Sequence, residues 1–203
     1  MASNQNRLPL IGVGTRNIAL YSPCEGSGKT EVANVLKRRF GFKAVKFAGV
    51  LKAMTFVFLK SAGFDEETVF RMIDGDLKNI DSIGPGLSPR RVMQTLGTEW
   101  GRDCIAESIW TDLAVGQATT LNGAGSNVII DDLRFPNEYD ALVAKDFEIW
   151  KIVRPGTIAT TDHPSEGLLD HHEFDVVIEN DGTLEDLHRK IAFHAKQETV
   201  ANA

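Results

Sequence analysis

The ten residues S-P-C-E-G-S-G-K-T-E, at positions 22–31, constrain the fold more than any other segment of the sequence. A short apolar run precedes them, and apolar residues at helical spacing follow. A glycine-rich turn between a strand and a helix can bind phosphate, because its backbone N–H groups and the helix N-terminus both favour an anion. Gly28, Lys29 and Thr30 fit the second half of the phosphate-binding loop pattern G-x-x-x-x-G-K-S/T. The sequence therefore predicts a strand, a phosphate-binding loop (P-loop) and a helix, in that order.

The first glycine of this pattern would stand where the chain has Pro23. Proline fixes φ at about −65° and has no backbone N–H. We expect the loop to tolerate it, because the donors that matter most lie later. The residues predicted to surround the phosphate oxygens are Glu25, Gly26, Ser27, Gly28, Lys29 and Thr30. Lys29 would reach the outer phosphates and the Thr30 hydroxyl a Mg²⁺ ion. The alternative is a glycine turn that leaves the lysine in solvent.

Predicted strands and helices alternate along the rest of the chain, around one polar segment that contains Asp65 and Lys78. We expect strands near residues 16–21, 43–48, 127–132, 147–154 and 175–180, and helices near 29–40, 50–62, 88–96, 105–121 and 183–195. On the helix at 105–121, one face should carry Ile105, Ile109, Leu113 and Ala114. This alternation predicts an α/β sandwich with a mainly parallel sheet, whose ligands lie at the carboxyl ends of the strands.

The bulk composition restricts the class of protein. The 203 residues carry a formal net charge of −6, so the overall field disfavours stable binding to nucleic acid. No apolar run approaches the roughly 18 residues of a membrane span, and the N-terminal segment does not have the pattern of a signal peptide. The two cysteines, Cys24 and Cys104, are too few for a disulfide framework. These features predict a soluble cytoplasmic protein with one domain over residues 1–203.

A second cluster of charged residues follows the apolar run at residues 128–130. Asp131 and Asp132 end this predicted strand, where an acid can hold Mg²⁺ or accept a proton. Their alternative role is to cap a helix or shape a turn. We favour Asp132 for the functional role. Arg134, two residues later, can offer a bidentate fork to phosphate.

A third strand end carries Arg154, and the polar segment that follows has little apolar periodicity. Such a segment can close over a reaction and exclude water, so we predict a mobile lid at about residues 155–173. His163, His171 and His172 lie in it. Their spacing fits no helix face and no cysteine accompanies them, which disfavours a metal site.

The fourth feature is the segment R-R-V-M-Q-T-L-G-T-E-W-G-R-D at residues 90–103. Its arginines could bind a second phosphate, its glutamine could pair with a base edge and its tryptophan could stack on a base. These residues are Arg90, Arg91, Gln94, Trp100 and Arg102. The alternative, an amphipathic helix with Trp100 in the core, fits the spacing equally well.

Taken together and in this order, five segments resemble the deoxynucleoside monophosphate kinases of bacteriophages, a branch of the P-loop nucleotide kinases. They are G-S-G-K-T-E-V-A, R-R-V-M-Q-T-L-G-T-E-W-G-R-D, V-I-I-D-D-L-R-F-P-N-E, H-P-S-E and N-D-G-T-L-E-D-L, and the resemblance covers about residues 17–195. It implies a three-layer sandwich of the P-loop nucleoside-triphosphate hydrolase type. It also implies transfer of the γ-phosphate of ATP to a deoxynucleoside 5′-monophosphate with Mg²⁺, by a homodimer in the host cytoplasm that supplies phage DNA synthesis.

The resemblance implies a role for each matching residue. The implied catalytic residues are Lys29, Asp132, Arg134 and Arg154. The implied acceptor-binding residues are Arg90, Arg91, Gln94, Trp100, Arg102 and Arg134. Asn180 and Gly182 belong to a turn that lies near the adenine in similar kinases, and Thr30 with Asp132 would hold Mg²⁺, although Asp131 remains an alternative ligand.

Two other functions fit the same motifs. One is a P-loop kinase that acts on a different small acceptor or on a modified nucleotide. The other is a non-catalytic, nucleotide-dependent switch. The sequence contains no N-K-x-D guanine motif, which disfavours the commonest kind of GTP switch.

Overall fold

A computed structural model describes residues 14–24, 26–157 and 167–196. The strands are β1 (Asn17–Tyr21), β2 (Lys43–Val45), β3 (Val128–Ile130), β4 (Glu148–Val153) and β5 (Val176–Glu179). The helices are α1 (Lys29–Phe40), α2 (Gly49–Ser61), α3 (Glu66–Asp74), α4 (Pro89–Thr95), a π-helix (Leu96–Ile105), α5 (Ile109–Gly123), α6 (Pro136–Val143) and α7 (Leu184–Lys196). Strands and helices alternate from β1 to α2 and from α5 to β4, but five helices follow one another between β2 and β3 and no helix separates β4 from β5 in the described residues, so the predicted alternation holds only in part.

The five strands form one parallel sheet in the order β2-β3-β1-β4-β5. In the central strand β1, Ala19 pairs with Ile130 of β3 on one side and with Ile149 of β4 on the other. Because all strands are parallel, their carboxyl ends meet at one edge of the sheet. The segments that follow Tyr21, Ile130 and Val153 therefore leave the sheet at the same edge.

Helices cover both faces of the sheet, because successive residues of a strand point to opposite faces. Ile18 and Leu20 of β1 pack in one core with side chains of α1 and α7. Ala19 and Tyr21 pack in the other core with side chains of α5 and α6. The predicted three-layer α/β sandwich is thus confirmed.

A third, smaller core joins α2, α3 and α4. The sequence predicts only a polar segment where α3 forms, and that prediction is wrong. Asp65 caps the helix by accepting a hydrogen bond of 2.9 Å from the Thr68 backbone N–H. One face of α3 is buried among the charged residues of this segment, and it carries Val69, Met72 and Ile73. The polar composition hid this short apolar stripe.

Other elements of the structure also differ from the prediction. α5 begins at Ile109 rather than Ile105, since the π-helix occupies the preceding residues. A π-helix turns more slowly than an α-helix, so the faces shift: Ile105 is 54% and Leu113 is 37% exposed, whereas Trp110 and Ala114 are buried. β2 and β3 are both shorter than predicted, so Asp131 and Asp132 follow β3 rather than end it, and α6 was not predicted. Among the helices of the described residues, none has both the length and the apolar character that crossing a membrane requires.

Candidate active site

The entry to the P-loop is built around Pro23 by its neighbours. Ser22 Oγ donates a hydrogen bond to the Cys24 carbonyl oxygen (2.7 Å) and accepts a weaker one from the Cys24 N–H (3.4 Å). Asp146 is the one non-glycine residue with positive φ in the described part of the chain, so Pro23 adopts the negative φ that its ring requires. A serine side chain closes the turn that lacks its usual glycine. Glu25, the next predicted phosphate contact, lies outside the described residues.

The rest of the loop depends on two glycines with left-handed backbone. Gly26 has φ 78° and Gly28, the N-cap of α1, has φ 99°. A Cβ atom on Gly28 would lie 2.6 Å from Asn180 Nδ2, so the Asn180 side chain would have to move. The same Nδ2 donates a hydrogen bond of 2.9 Å to the Ser27 carbonyl oxygen. The turn after β5 therefore supports the P-loop, and both the positive φ of residue 28 and its closeness to Asn180 favour glycine there.

Asn180 and Gly182 are the two residues that the resemblance implies near the adenine, and both lie in the turn that supports the P-loop. Asn180 is part-buried against the P-loop backbone, and its own N–H donates to the Val153 carbonyl oxygen (2.7 Å). A Cβ on Gly182 would lie 2.7 Å from Asp186 Oδ2, so a side chain there would displace Asp186. Asp186 in turn accepts a hydrogen bond of 2.9 Å from the Thr183 N–H at the start of α7.

Lys29 lies among the charged residues that the strand ends bring together. Burial lowers the pKa of its ammonium group, and the positive charge of Arg134 acts in the same direction. The negative charges of Asp132 and Asp131 oppose both effects. Residues far apart in sequence, from the P-loop and from the end of β3, thus share one electrostatic environment. Thr30, the predicted Mg²⁺ ligand of the loop, is exposed at the start of α1.

The two adjacent acids have different surroundings. Asp132 accepts hydrogen bonds from the backbone N–H groups of Phe47 (3.0 Å) and Ala48 (3.1 Å), one on each oxygen. Burial raises its pKa, although these two hydrogen bonds act against the shift. Asp131 has a buried Oδ1 without a hydrogen-bond partner, and Lys46 Nζ lies 3.3 Å from it as an ion pair. Asp132 therefore fixes the connection between β2 and α2, whereas Asp131 pairs with Lys46.

Arg134 is exposed at the same edge, and its backbone is fixed by Glu138. The sequence assigned Glu138 no chemical role. Burial raises the pKa of its carboxyl group to about 7, against the opposing effect of its hydrogen bonds to the Arg134 and Phe135 N–H groups. A glutamate three residues into a helix is a common cap, so the sequence offered no signal that this one is buried.

The predicted acceptor residues lie on α4 and on the π-helix. Ser88 caps α4 by accepting a hydrogen bond from the Arg91 N–H (3.3 Å), and Pro89 takes the first helical position. The side chains of Arg90, Arg91 and Gln94 are exposed.

The two tryptophans of this region have opposite environments. Trp100 is 42% exposed, whereas Trp110 is 5% exposed. Their ring centroids are 6.4 Å apart. Trp110 Nε1 donates to the Gly97 carbonyl oxygen (2.7 Å), and a Cβ on Gly101 would lie 2.5 Å from Trp110 Cζ2. The alternative that places Trp100 in the core is wrong, because Trp110 occupies that place and leaves Trp100 at the surface.

Lys78 is a cation of this region that the sequence did not single out. It lies between α3 and α4, and its carbonyl oxygen accepts a hydrogen bond of 2.9 Å from the Arg90 N–H. Burial lowers the pKa of its ammonium group, and the positive charges of Lys52, Arg90 and Arg134 act in the same direction. Cations crowded in this way form a site for an anion. One lysine in a polar segment gave no signal, since α3 and α4 create the arrangement.

Arg154 is exposed directly after β4, and its carbonyl oxygen accepts hydrogen bonds from the Thr157 N–H (3.2 Å) and Oγ1 (2.6 Å). Cys24 Sγ of the P-loop lies 3.7 Å from Thr157 Oγ1. The turn after β4 therefore touches the entry of the P-loop.

Of the predicted lid at 155–173, residues 158–166 lie outside the described residues, and with them His163, Ser165 and Glu166. The later part packs against the main domain. Leu169 is fully buried, and Asp170 Oδ1 accepts hydrogen bonds from Tyr21 Oη (3.0 Å) and Lys151 Nζ (2.8 Å). The lid itself stays a prediction.

Comparison with known proteins agrees with this geometry. Residues 28–191 match the sequence model of a family described as deoxynucleotide monophosphate kinase. A protein of Acanthamoeba polyphaga mimivirus, assigned to the same class of kinase, is 31% identical over 179 residues, which are 82% of this chain and 90% of the viral one. The deoxynucleotide monophosphate kinase of Enterobacteria phage T4 is 34% identical over 113 residues, 55% of this chain and 47% of its own.

Among solved structures, the dephospho-CoA kinase of Campylobacter jejuni superposes with a TM-score of 0.50 and 12% identity, over 89% of this chain and 95% of that one. At this identity the likeness concerns the fold, and it supports the P-loop type of α/β sandwich.

Proposed function

Because this chain belongs to the deoxynucleotide monophosphate kinase family, we propose that it transfers the γ-phosphate of ATP to a deoxynucleoside 5′-monophosphate. One observation carries this proposal. A P-loop lysine, two strand-end acids and an arginine share one edge of the sheet, where their charges act on each other, and a cluster of further cations lies beside them. A kinase needs two such neighbouring phosphate sites, one for each nucleotide, whereas a nucleotide-dependent switch needs one.

On the ATP side, the backbone supplies most of the binding. The residues from Gly26 to Thr30 lie at the N-terminal end of α1, where free N–H groups and the helix dipole favour the phosphates. Lys29 would draw negative charge from the transferring group, with Arg134 and Arg154 as further cations. Because Lys29 is largely desolvated, its charge acts there more strongly than it would in water.

The residues present fit a Mg²⁺ ion. Within the described residues, no group of three or more His, Cys, Asp or Glu side chains is arranged to hold a metal by itself. This matches Mg²⁺ in kinases, which takes one or two protein ligands and completes its shell with nucleotide phosphates and water. Thr30 would hold the ion together with Asp132 or Asp131, whose carboxylate lies beside Lys46. When bound, the ion neutralises charge on the transferring phosphate.

On the acceptor side, cations would hold the 5′-phosphate and an exposed aromatic ring would contact the base. Arg90, Arg91 and Arg102 are the predicted cations, and we add Lys78 from its place beside Arg90. Gln94 and Trp100 are both exposed, so they can reach a base edge and a base face. Positioning the two phosphates in line would supply most of the rate enhancement.

The biological setting is also part of the proposal. Relatives encoded by phages and by a giant virus support a role in deoxynucleotide supply for viral DNA synthesis in the host cytoplasm. The net charge of −6 disfavours stable binding to DNA. We also propose a homodimer, which the exposed apolar side chains Val57, Phe58 and Phe70 of α2 and α3 would help to form. Light scattering of the purified protein measures that mass directly.

A panel of acceptors tests the function. Purified protein with ATP and Mg²⁺ should form ADP with one or more deoxynucleoside 5′-monophosphates and form the matching diphosphate in equal amount. ADP release that is the same with and without any acceptor would support the switch instead. Turnover that occurs only with modified nucleotides or with other small acceptors would support a P-loop kinase of different specificity.

A further inference from the structure

A buried carboxylate lies beneath the acceptor side of the site. Glu138, in the first turn of α6, is 3% exposed, whereas glutamate is almost never fully buried unless it is paired. Its Oε2 accepts hydrogen bonds from the backbone N–H groups of Arg134 (2.9 Å) and Phe135 (3.1 Å). Its Oε1 lies 3.6 Å from Arg102 Nη2. One carboxylate therefore contacts both the loop that carries Arg134 and the helix that carries Arg102.

Arg102 is held against the same loop by a second contact. Its guanidinium carbon lies 4.6 Å from the centre of the Phe135 ring, a distance at which a cation and an aromatic face attract each other. The Arg102 side chain is still 27% exposed, so it can contact a ligand while it keeps both partners. The positions of Arg102 and Arg134 thus depend on Glu138 and on the residue beside it.

We propose that Glu138 is a positioning residue for phosphoryl transfer, whose carboxylate fixes Arg134 and Arg102 relative to each other so that both guanidinium groups meet the acceptor phosphate. This inference rests on the proposed function. It follows from the contacts of Glu138, which join two segments that no other described ion pair joins. In-line transfer depends on placing phosphate-binding groups accurately, so a residue that never touches substrate can control the rate.

The charge of Glu138 gives the proposal a signature in pH. The groups that face the carboxyl are Asp132 from the end of β3, which raises the pKa, and Arg102 from the π-helix, which lowers it together with the Arg134 and Phe135 N–H groups. Burial is the largest influence, and the pKa is raised to about 7. Below that pH the protonated carboxyl loses its attraction for Arg102. Catalytic efficiency towards the acceptor should therefore fall as the pH drops below about 7.

The variant Glu138→Gln tests this directly. Glutamine has the same shape and keeps a carbonyl oxygen for the Arg134 and Phe135 N–H groups, but it presents no charge to Arg102. We expect kcat/KM for the acceptor to fall about tenfold, the size of one charged contact, while the KM for ATP stays within about twofold of its wild-type value. The matched control is Asp140→Asn, which alters an exposed acid of the same helix and should leave both constants unchanged.

The pH profile separates positioning from a merely structural role. The acceptor phosphate itself titrates with a pKa of about 6, so the decisive quantity is the difference between wild type and Glu138→Gln. The part of the decline near pH 7 should disappear in the variant and the part due to the substrate should remain. An unchanged profile, or an acceptor kcat/KM equal to that of wild type, would overturn the proposal.

A double-mutant cycle tests the coupling to Arg102. If Glu138 acts through Arg102, the losses in acceptor kcat/KM from Glu138→Gln and Arg102→Gln are less than additive, and additive losses would contradict the proposal. If Glu138→Gln does not fold, the Arg102→Gln variant tests the coupling by itself. In that variant the kcat/KM for the acceptor should no longer decline as the pH falls through about 7. Retention of that dependence in Arg102→Gln would count against the coupling.

A further measurement does not depend on catalysis. In an NMR titration of wild type, the backbone amide signals of Arg134 and Phe135 should shift together with a midpoint near the raised pKa of Glu138, about 7, and should not shift in Glu138→Gln. If these amides titrate but no deoxynucleotide is phosphorylated, the proposed function has failed while the contact stands. If the amides do not titrate, the positioning role is wrong whatever the substrate.

Discussion

The two sides of the candidate active site are built by different means. On the ATP side, backbone conformation shapes the phosphate site. Gly28 has φ 99°, and Asn180 supports the loop by donating a hydrogen bond to the Ser27 carbonyl oxygen. On the acceptor side, the groups are charged side chains on helices, and Arg90 and Gln94 are exposed. The first arrangement is set by the backbone conformation of the loop and by one hydrogen bond to it. The second is a concentration of positive charge on side chains, of which Arg102 is held by Glu138 and Phe135.

This difference explains what each side can control. A loop of backbone N–H groups binds any nucleoside triphosphate, because phosphates are common to all of them. Side chains such as Gln94 and Trp100 can distinguish one base from another, since their hydrogen bonds and ring contacts depend on the base. We therefore expect substitutions on the ATP side to alter the rate with every acceptor, and those on the acceptor side to alter the choice among acceptors.

The largest expected effect is that of Lys29→Ala. Loss of one preorganised charge at the transferring phosphate typically lowers kcat by about 10²–10³-fold, and we expect a loss of that size with every acceptor in steady-state assays. The variant should melt no lower than wild type, because burial disfavours the lysine's charged form in the folded state and its removal relieves that cost. Arg38→Ala, an exposed cation of the same helix, serves as the control. If the Lys29→Ala protein folds and keeps full turnover, Lys29 does not act on the transferring phosphate and the P-loop assignment is wrong.

A pair of glycines at the two ends of α1 tests whether the ATP side is preformed. Gly28 and Gly41 both have positive φ, 99° and 73°, but a Cβ meets Asn180 Nδ2 at 2.6 Å in the first and has open space in the second. Each alanine substitution costs about 1–2 kcal/mol of backbone strain. Only Gly28→Ala should also weaken ATP binding. If about 2 kcal/mol of strain and steric clash falls on the P-loop, the affinity for ATP should drop about thirtyfold. Isothermal titration calorimetry measures this affinity. Equal ATP affinity in the two variants would show that the loop is not preformed.

The same contrast explains what the sequence revealed. The ATP side follows a local pattern in which glycine, lysine and threonine are adjacent, so Gly28, Lys29 and Thr30 could be identified from spacing alone. The parallel sheet could be predicted as well, because β3 is a continuous apolar run. Lys78 and Glu138 could not be identified, since their surroundings depend on α3, the π-helix and α6, none of which was predicted. The pairing of Asp132 with the Phe47 and Ala48 N–H groups is likewise a product of tertiary structure.

On the acceptor side, Lys78→Ala should raise the KM for the deoxynucleoside monophosphate about tenfold, the effect of losing one charged phosphate contact. The KM for ATP should stay unchanged, because the nearby charges that act on Lys78 belong to Lys52, Arg90, Asp74 and Arg134 rather than to the P-loop. Initial rates with each substrate varied in turn measure both constants. Lys60→Ala, an exposed lysine of α2, is the control. A rise in the KM for ATP instead would show that Lys78 also acts on the ATP side, so the two sides would not be separate sites.

The smallest expected effect comes from Asn180→Ala, which leaves the P-loop sequence intact and removes its support. The variant loses one hydrogen bond to the Ser27 carbonyl oxygen, which typically contributes about 1 kcal/mol and corresponds to a roughly fivefold weaker affinity for ATP. Asp181→Asn in the same turn is the matched control, since Asp181 pairs with Lys190 at the surface. If the asparagine instead contacts the adenine, its loss should weaken ATP far more than inorganic triphosphate. If it supports the loop, both ligands should weaken by the same factor, because the defect then lies in the phosphate site that they share.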